Sequence, residues 1–521
     1  MTSSNPKYEN TPEWDVIVIG SGMGGMAAAC ALSRTGHKVL LLEQYHKLGG
    51  LTHSFSRNGF NWDAGIHYLS YLSPGTSERA MLDWLCDTPV EFAPIGPVFD
   101  ILHIGEAEPL SVSHPYEAHT MDLKERFPDD GEAVDAWFAA VQRGRDAVRI
   151  IMQTRSMQQP IASALDREKG DEVKRWCGRT TREVADEITD NEKLKAAFFS
   201  QWGTHGGRPN LASFAIHATV AYSYLESGAV YPVGGASVIA EHMLPVIGAA
   251  GGEARADTRV EQLVMENGAV VGVRTADGEE IRAKAVISNI GAFETVNQLL
   301  PDGHGEDDWV NEIRAFKPSI CHFSLFLGFE GDIEAAGATK ANHWLYPTGE
   351  VDAVWGDAPD GSPPAMFLSF ASLKDPNYDP GPSRVHSGEM MILTDWSVME
   401  EWADCPPGDR GARYEALKTE VKAKAFAQIE AYFPELAKMV VFKELATPFS
   451  VVSTTRHRNG AFYGVEATPK RMLSDALRMK TPIDGLYLSG QDVATPGIPS
   501  ALWGGLLCAA NIEPKVFSHF S

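Results

Sequence analysis

The stretch from residue 15 to residue 50, DVIVIGSGMGGMAAACALSRTGHKVLLLEQYHKLGG, constrains the fold more than any other part of this 521-residue chain. Val16 to Ile19 form a short β-branched run suited to a strand buried on both faces, and Gly20, Gly22 and Gly25 follow at GxGxxG spacing. Gly20 permits a tight turn. Gly22, lacking a Cβ, lets the backbone approach a pyrophosphate at the positive end of the next helix, and Gly25 lets that helix lie close to the strand. Met26 to Leu32 read as a helix of mostly small residues, and Val39 to Leu42 as a second strand. Glu43, 18 positions beyond Gly25, falls where a carboxylate accepts hydrogen bonds from ribose hydroxyls. Glycines, strand, helix and acid in register make this a dinucleotide-binding unit.

Features further along bear on which dinucleotide is bound. Gly49 and Gly50 offer a second close backbone approach, which an NAD-only fold does not ordinarily need, and Asp63, Ala64 and Gly65 follow. Near the C-terminus, Gly485 to Asp492 read as a short strand leading to a glycine and an acid. Asp492 is there suited to a polyol such as a ribityl chain, with the loop Pro496 to Ser500 and the helix after it aiming N–H groups at an electron-rich ring. Taken alone, residues 485 to 512 equally fit an ordinary strand, turn and packing helix.

These motifs, with Tyr231 to Gly235 and Gly460 to Glu466, resemble the flavoprotein superfamily of phytoene desaturases, carotenoid isomerases and retinol saturases. The likeness is greatest to the retinol saturase side, through Asp63 to Tyr68 and Gly490 to Val493, and spans residues 15 to about 512. One departure stands out: many desaturases of the superfamily carry arginine directly after the glycine pair, where this chain has Leu51, followed by Thr52 and His53. The resemblance implies FAD as cofactor, held by Gly20, Gly22, Met23, Gly24, Gly25, Glu43, Gln44, Gly49, Gly50, Leu51, Thr52, Gly65, Ile66, His67, Val260, Gly490, Asp492, Gly497, Ile498 and Pro499. It places His67, Tyr231, Tyr463 and Glu466 near the isoalloxazine as acid–base candidates, with His53 and His205 as additions, although such residues in glycine-rich phrases are more often packing or hydrogen-bonding groups.

The fold class expected is α/β: a Rossmann-type FAD-binding domain with a three-layer, mostly parallel sheet and an inserted mixed α+β substrate domain. The FAD-binding pieces are expected at 12–75, 228–292 and 446–521. A helix-rich substrate piece is expected at 76–227, and a strand-rich one at 293–445. Asn267-Gly268 between two strand-like runs is a hairpin signal. In the helix-rich piece, Val134, Trp137, Val141, Val148, Ile151 and Met152 recur at helical spacing, with Arg143, Arg145, Arg149 and Arg155 nearby. That stripe either packs on the body of the protein or rests on a bilayer as a peripheral contact.

Composition narrows the function classes. Lys plus Arg number 45 against 69 Asp plus Glu, a formal net charge of -24 that repels nucleic acid and disfavours general binding to anionic membranes. Cys30, Cys86, Cys177, Cys321, Cys405 and Cys508 lack paired spacing, and Met1 to Thr11 carry no signal-peptide apolar region. The expectation is a cytoplasmic protein without a metal site.

Within the resemblance, flavin N5 would exchange a hydride with carbon, and the substrate would be an apolar polyene or lipid, a retinoid, carotenoid or unsaturated fatty acid, in a tunnel lined by Phe, Trp, Met and Leu. Saturation is favoured, which needs a transient NAD(P)H or protein electron donor because no second GxGxxG unit is present. Alternatives are redox-neutral isomerisation with reduced FAD, a non-catalytic isoprenoid or lipid carrier on the same fold, and an amine oxidase. Thr454, Thr455, Arg456, His457 and Arg458 either bind a substrate head group or form a solvated loop.

Overall fold

The computed structural model describes residues 13–157, 159–303, 307–357, 361 and 363–520. Strand β1 (Trp14–Ile19) runs parallel to β2 (Val39–Leu42), with Val16 opposite Val39, and helix α1 (Met23–Arg34) joins them. β2 is buried along its whole length, as expected of a strand covered on both faces. On its other side β1 pairs in parallel with the long strand Glu280–Ser288, and that strand in turn pairs with Leu486–Leu488. Glu253–Arg255 adds beyond β2.

The strand Glu280–Ser288 joins the parallel and antiparallel parts of this one seven-stranded sheet. Its first half pairs antiparallel with Ala269–Thr275, which forms a hairpin with Val260–Glu266. The hairpin turns at Asn267 and Gly268, both at positive φ, 52° and 82°, as a tight primed turn requires.

A second sheet of seven strands has the order Val440–Ala446, Cys321–Glu330, Val385–Thr394, Met366–Ser369, Asn342–Tyr346, Val98–Ile104, Leu110–Ser113. All neighbours are antiparallel except Asn342–Tyr346 and Val98–Ile104, where Trp344 lies opposite Leu102. Two strands thus come from within residues 76–227, a stretch whose apolar spacing suggested helices. Alternation divides the sheet cleanly. Met390 and Ile392 pack with Leu325, Leu327 and Phe329 on one face, in a core that includes Val421, Ala425 and Ile429 of the helix Gly411–Tyr432. Glu389, Met391 and Leu393 face the opposite way.

The helix Gly131–Ser156 packs against Gln159–Cys177 and Phe214–Val220. Val134, Trp137, Val141, Val148 and Ile151 are buried there. Trp137 stacks on Phe198 at 4.4 Å and donates its indole N–H to Tyr222 at 2.7 Å. The bilayer alternative for this stripe is therefore corrected: its apolar side is already covered by protein. Arg155 is buried too, its guanidinium donating to the carbonyls of Arg471 at 2.6 Å and Met472 at 3.1 Å. Among the described residues no helix is long and apolar enough to cross a membrane.

Candidate active site

The N-terminal and C-terminal ends of the chain meet at glycines. A Cβ on Gly24 would lie 2.5 Å from Gly490 Cα, one on Gly505 would collide with the Gly24 carbonyl, and the Ser489 hydroxyl donates to that same carbonyl at 3.1 Å. Gly25 abuts the Gly20 carbonyl, the close helix-to-turn packing its spacing suggested. Gly50, at φ +57°, approaches Gly22 so nearly that a Cβ would sit 2.8 Å from Gly22 Cα. The Asn289 side chain lies at the centre of this cluster, within 3.2 Å of where Cβ atoms on Gly22, Gly24, Gly25 and Gly490 would be.

A cavity of about 590 Å³ opens from this cluster. Gly20, Gly22, Met23, Gly24, Glu43, Gln44, Gly50, Leu51, Thr52, Gly65, His67, Val260, Tyr463, Gly490, Asp492, Gly497 and Ile498 line it. At its nucleotide end α1 starts after Gly22 with no side-chain cap, which leaves first-turn N–H groups free for an anion. Glu43 Oε2 accepts from the Ser21 N–H at 2.9 Å and hydroxyl at 2.7 Å, and Oε1 accepts from the Tyr45 N–H at 2.9 Å. A carboxylate has about four acceptor positions, so one remains for a ligand. Asp492 accepts from the N–H groups of Ala292 at 2.8 Å and Val465 at 2.9 Å, which ties two loops to the turn after Leu486–Leu488.

The same cavity continues without interruption into an aromatic chamber. Tyr68 stacks on Tyr224 at 4.3 Å, and Trp344 meets Phe367 edge-on at 4.7 Å. Met391 and Leu393 supply aliphatic wall. His67 meets Phe367 edge-on at 5.0 Å, and burial, reinforced by the Lys374 charge, lowers its pKa to about 3. Behind the wall lies a buried polar network. Asp100 accepts from Tyr68 at 3.0 Å, Gln201 at 2.6 Å and Asn342 at 3.0 Å, while Lys374 donates to Asn342 and Ser369 at 2.5 and 2.6 Å and to the His67 carbonyl at 2.8 Å. This network fixes the two chamber residues His67 and Tyr68.

Several expected site residues lie elsewhere. Tyr231 does not line the cavity: its hydroxyl donates to Asp63, which also accepts from Ser54 at 2.6 Å and the Ala236 N–H at 3.0 Å, so Asp63 ties the hairpin Ser54–Asp63 to the strand Val230–Pro232 and the turn after it. Glu466 is half-buried outside the cavity, its N–H donating to the Lys317 carbonyl at 2.9 Å. Ile66 is core, Gly49 supports the turn before Thr52, and Pro499 begins the helix Ile498–Ile512; none of the three lines the cavity.

The two added histidines are satisfied structural groups. His205 Nδ1 accepts from the Gly207 N–H at 3.3 Å, so its Nε2 carries the proton and donates to His217 Nδ1 at 3.0 Å; His217 Nε2 then donates to the Phe198 carbonyl at 3.0 Å. His53 donates from Nδ1 to the Gly50 carbonyl at 2.5 Å. Thr454, Thr455, Arg456 and His457 do line the cavity, but on the side of Gln44, whose amide reaches the Thr454 carbonyl at 3.5 Å. Arg458 is outside it.

Sequence reasoning missed Asn289, Tyr68, Tyr224, His322, Trp344, Phe367, Glu389, Met391 and Leu393. The one usable signal is Glu389, an acid directly before the apolar run Met390 to Leu393, where a solvent-facing position is the ordinary explanation.

Residues 23–513 match the family described as flavin containing amine oxidoreductase. The all-trans-retinol 13,14-reductase of Danio rerio is 30% identical over 97% of this chain and 87% of its own length. The chloroplastic prolycopene isomerase of Daucus carota is 27% identical over 96% of this chain and 80% of its own. Among solved structures, a putrescine oxidase superposes with a TM-score of 0.63 at 14% identity, covering 96% of this chain and 98% of that one. At that identity the likeness speaks of the fold, which hosts many chemistries.

Proposed function

This chain belongs to the flavin-containing amine oxidoreductase family and its cofactor is FAD, and from that premise we propose that it acts on carbon–carbon double bonds of an apolar polyene lipid, in the manner of a saturase. One observation carries the reading: the glycine-walled nucleotide end and the aromatic chamber are a single cavity, so an extended apolar molecule in the chamber ends against the cofactor.

The residues present fit FAD. Side chains at Gly22, Gly24, Gly50 or Gly490 would fill the cradle, the uncapped start of α1 suits the pyrophosphate, the remaining acceptor position of Glu43 suits a ribose hydroxyl, and Asp492 suits the ribityl chain. When bound, FAD supplies the two-electron chemistry, with electrons delivered by a transient NAD(P)H or protein donor. The chain's own part is to hold the polyene between Tyr68, Tyr224, Trp344 and Phe367 and to exclude water.

Anaerobic incubation of reduced and oxidised enzyme with retinoids, carotenoids and unsaturated fatty acids, read by product mass, tests this. A gain of two hydrogens supports saturation. A loss means desaturation, and unchanged mass with altered retention means the isomerisation known of the carrot relative's name. Oxidation of an amine with no change in any polyene would overturn the reading.

A further inference from the structure

We infer that Glu389 is the acid that protonates the substrate carbon next to the one reduced by the cofactor. The inference rests on the polyene reading above and adds a residue role to it.

Glu389 sits on the strand Val385–Thr394 at alternate spacing with Met391 and Leu393, and all three line the cavity. Its strand neighbours Met390 and Ile392 turn into the other core. The carboxyl is therefore placed in an otherwise apolar row facing the chamber, although it is buried. From the adjoining elements it faces the Ser324 hydroxyl and the Asp63 carboxyl. Asp63 is itself bonded to Ser54 and Tyr231, and His67 and His322 stand on the chamber wall. Burial pushes the Glu389 carboxyl up to about 8, the Ser324 hydrogen bond working against it and the Asp63 charge adding to it.

Of the histidines and tyrosines on the chamber wall, none offers as acidic a proton near neutral pH. Burial lowers His67 to about 3 and His322 to about 4, so neither carries an acidic proton. Burial raises Tyr68, Tyr224 and Tyr463 above an ordinary phenol, and the Tyr68 hydroxyl is already given to Asp100. A polyene filling the chamber displaces water, which removes solvent as the direct source. The balance is then complete. One carbon of the double bond gains two electrons and a proton from the reduced flavin. Its neighbour takes the Glu389 proton, two C–H bonds replace the π bond, and Glu389 is left as carboxylate to be reprotonated from solvent.

The test uses the holoenzyme and its Glu389→Gln and Glu389→Asp variants. Expected for Glu389→Gln are unchanged flavin content, a substrate-induced shift of the flavin spectrum at wild-type concentrations, and turnover lowered roughly 10²–10⁴-fold. Glu389→Asp should recover part of the rate. Independently of activity, the infrared carbonyl band of a protonated carboxylic acid should be present in the wild type at pH 7, absent from Glu389→Gln, and lost from the wild type as pH rises through about 8. Equal turnover by wild type and Glu389→Gln, or an infrared band indifferent to the substitution, overturns the inference. Failure of the wild type on every polyene instead overturns the functional reading, with the infrared result still reporting the state of Glu389.

Discussion

At the nucleotide end of the cavity the walls are backbone, whereas at the chamber end they are side chains, and the two leave different marks on a sequence. Backbone walls demand glycine. Gly20, Gly22 and Gly24 lie within one turn of chain, and Gly50 and Gly490 close on them from elsewhere. The chamber is walled instead by Tyr68, Tyr224, Trp344, Phe367 and Met391, ordinary core residue types drawn from five separate segments. A packed aromatic and a ligand-facing aromatic look alike until the chain is folded.

The sharpest way to break this contrast lies within the glycine motif itself. Gly24→Val would drive a side chain into Gly490 Cα, 2.5 Å from the Cβ position, and into Asn289 Oδ1 at 2.6 Å. Overpacking against backbone should cost about 3 kcal/mol or more and separate the two ends of the chain. Gly22, two positions earlier, has only Asn289 Nδ2 within reach, at 3.2 Å. Gly22→Val should therefore fold with a near-normal melting temperature yet purify without the yellow of bound flavin. A yellow Gly22→Val protein would show that this backbone is not where the pyrophosphate comes close.

The chamber should respond in the opposite sense. Leu393→Trp projects bulk from the strand Val385–Thr394 toward Trp344 and Gly203, whose Cβ position is already within 3.3 Å of Leu393. The expected outcome is full flavin content with substrate affinity weakened roughly 10–100-fold, the equivalent of about 1–3 kcal/mol of overpacking. Equilibrium titration with a polyene, followed in the flavin spectrum, measures it. Unchanged affinity would place the substrate elsewhere.

What could be read before folding follows the same division. The βαβ start, Glu43, the hairpin at Asn267-Gly268 and the Gly490 turn are short-range patterns whose residues are fixed by backbone conformation. Tyr231 enters the candidate list through the family resemblance and His205 as an addition to it. Their partners, Asp63 and His217, are 168 and 12 residues away and become visible only in the fold. The apolar stripe of Gly131–Ser156 has the same spacing whether it meets protein or lipid; Phe198, Phe214 and Tyr222, which cover Trp137, decide the matter. Glu389 belongs to no motif, and its place is set by a strand whose two faces are both covered.

A smaller effect is expected at Glu43, which combines both modes of construction. Its side chain already holds the Ser21 and Tyr45 backbone, so Glu43→Ala removes a ribose acceptor and loosens the turn that presents the phosphate site. Flavin affinity should fall by about 1–3 kcal/mol, roughly 5–150-fold, with the fold retained. Dialysis against apo-protein would measure the loss, and unaltered retention would leave Glu43 as a turn-former alone.

A last effect, read as a trend with pH, tests whether the chamber end stores a proton. A carboxyl raised from 4.5 to about 8 binds its proton more tightly in the folded chain than in the unfolded one. Between those pH values the native state therefore holds more protons. The stability this provides is full below about 4.5 and is lost as pH rises through about 8. Asp100, raised to about 6 by burial, and Lys374, lowered to about 7 by burial, titrate in the same window but are common to wild type and variant. The difference in melting temperature between wild type and Glu389→Gln should accordingly turn against the wild type as pH goes from 5 to 8. A difference that stays flat would mean that the Glu389 carboxyl is already ionised in the folded protein, and the chamber would then present an anion, which suits a cationic amine better than a hydrocarbon.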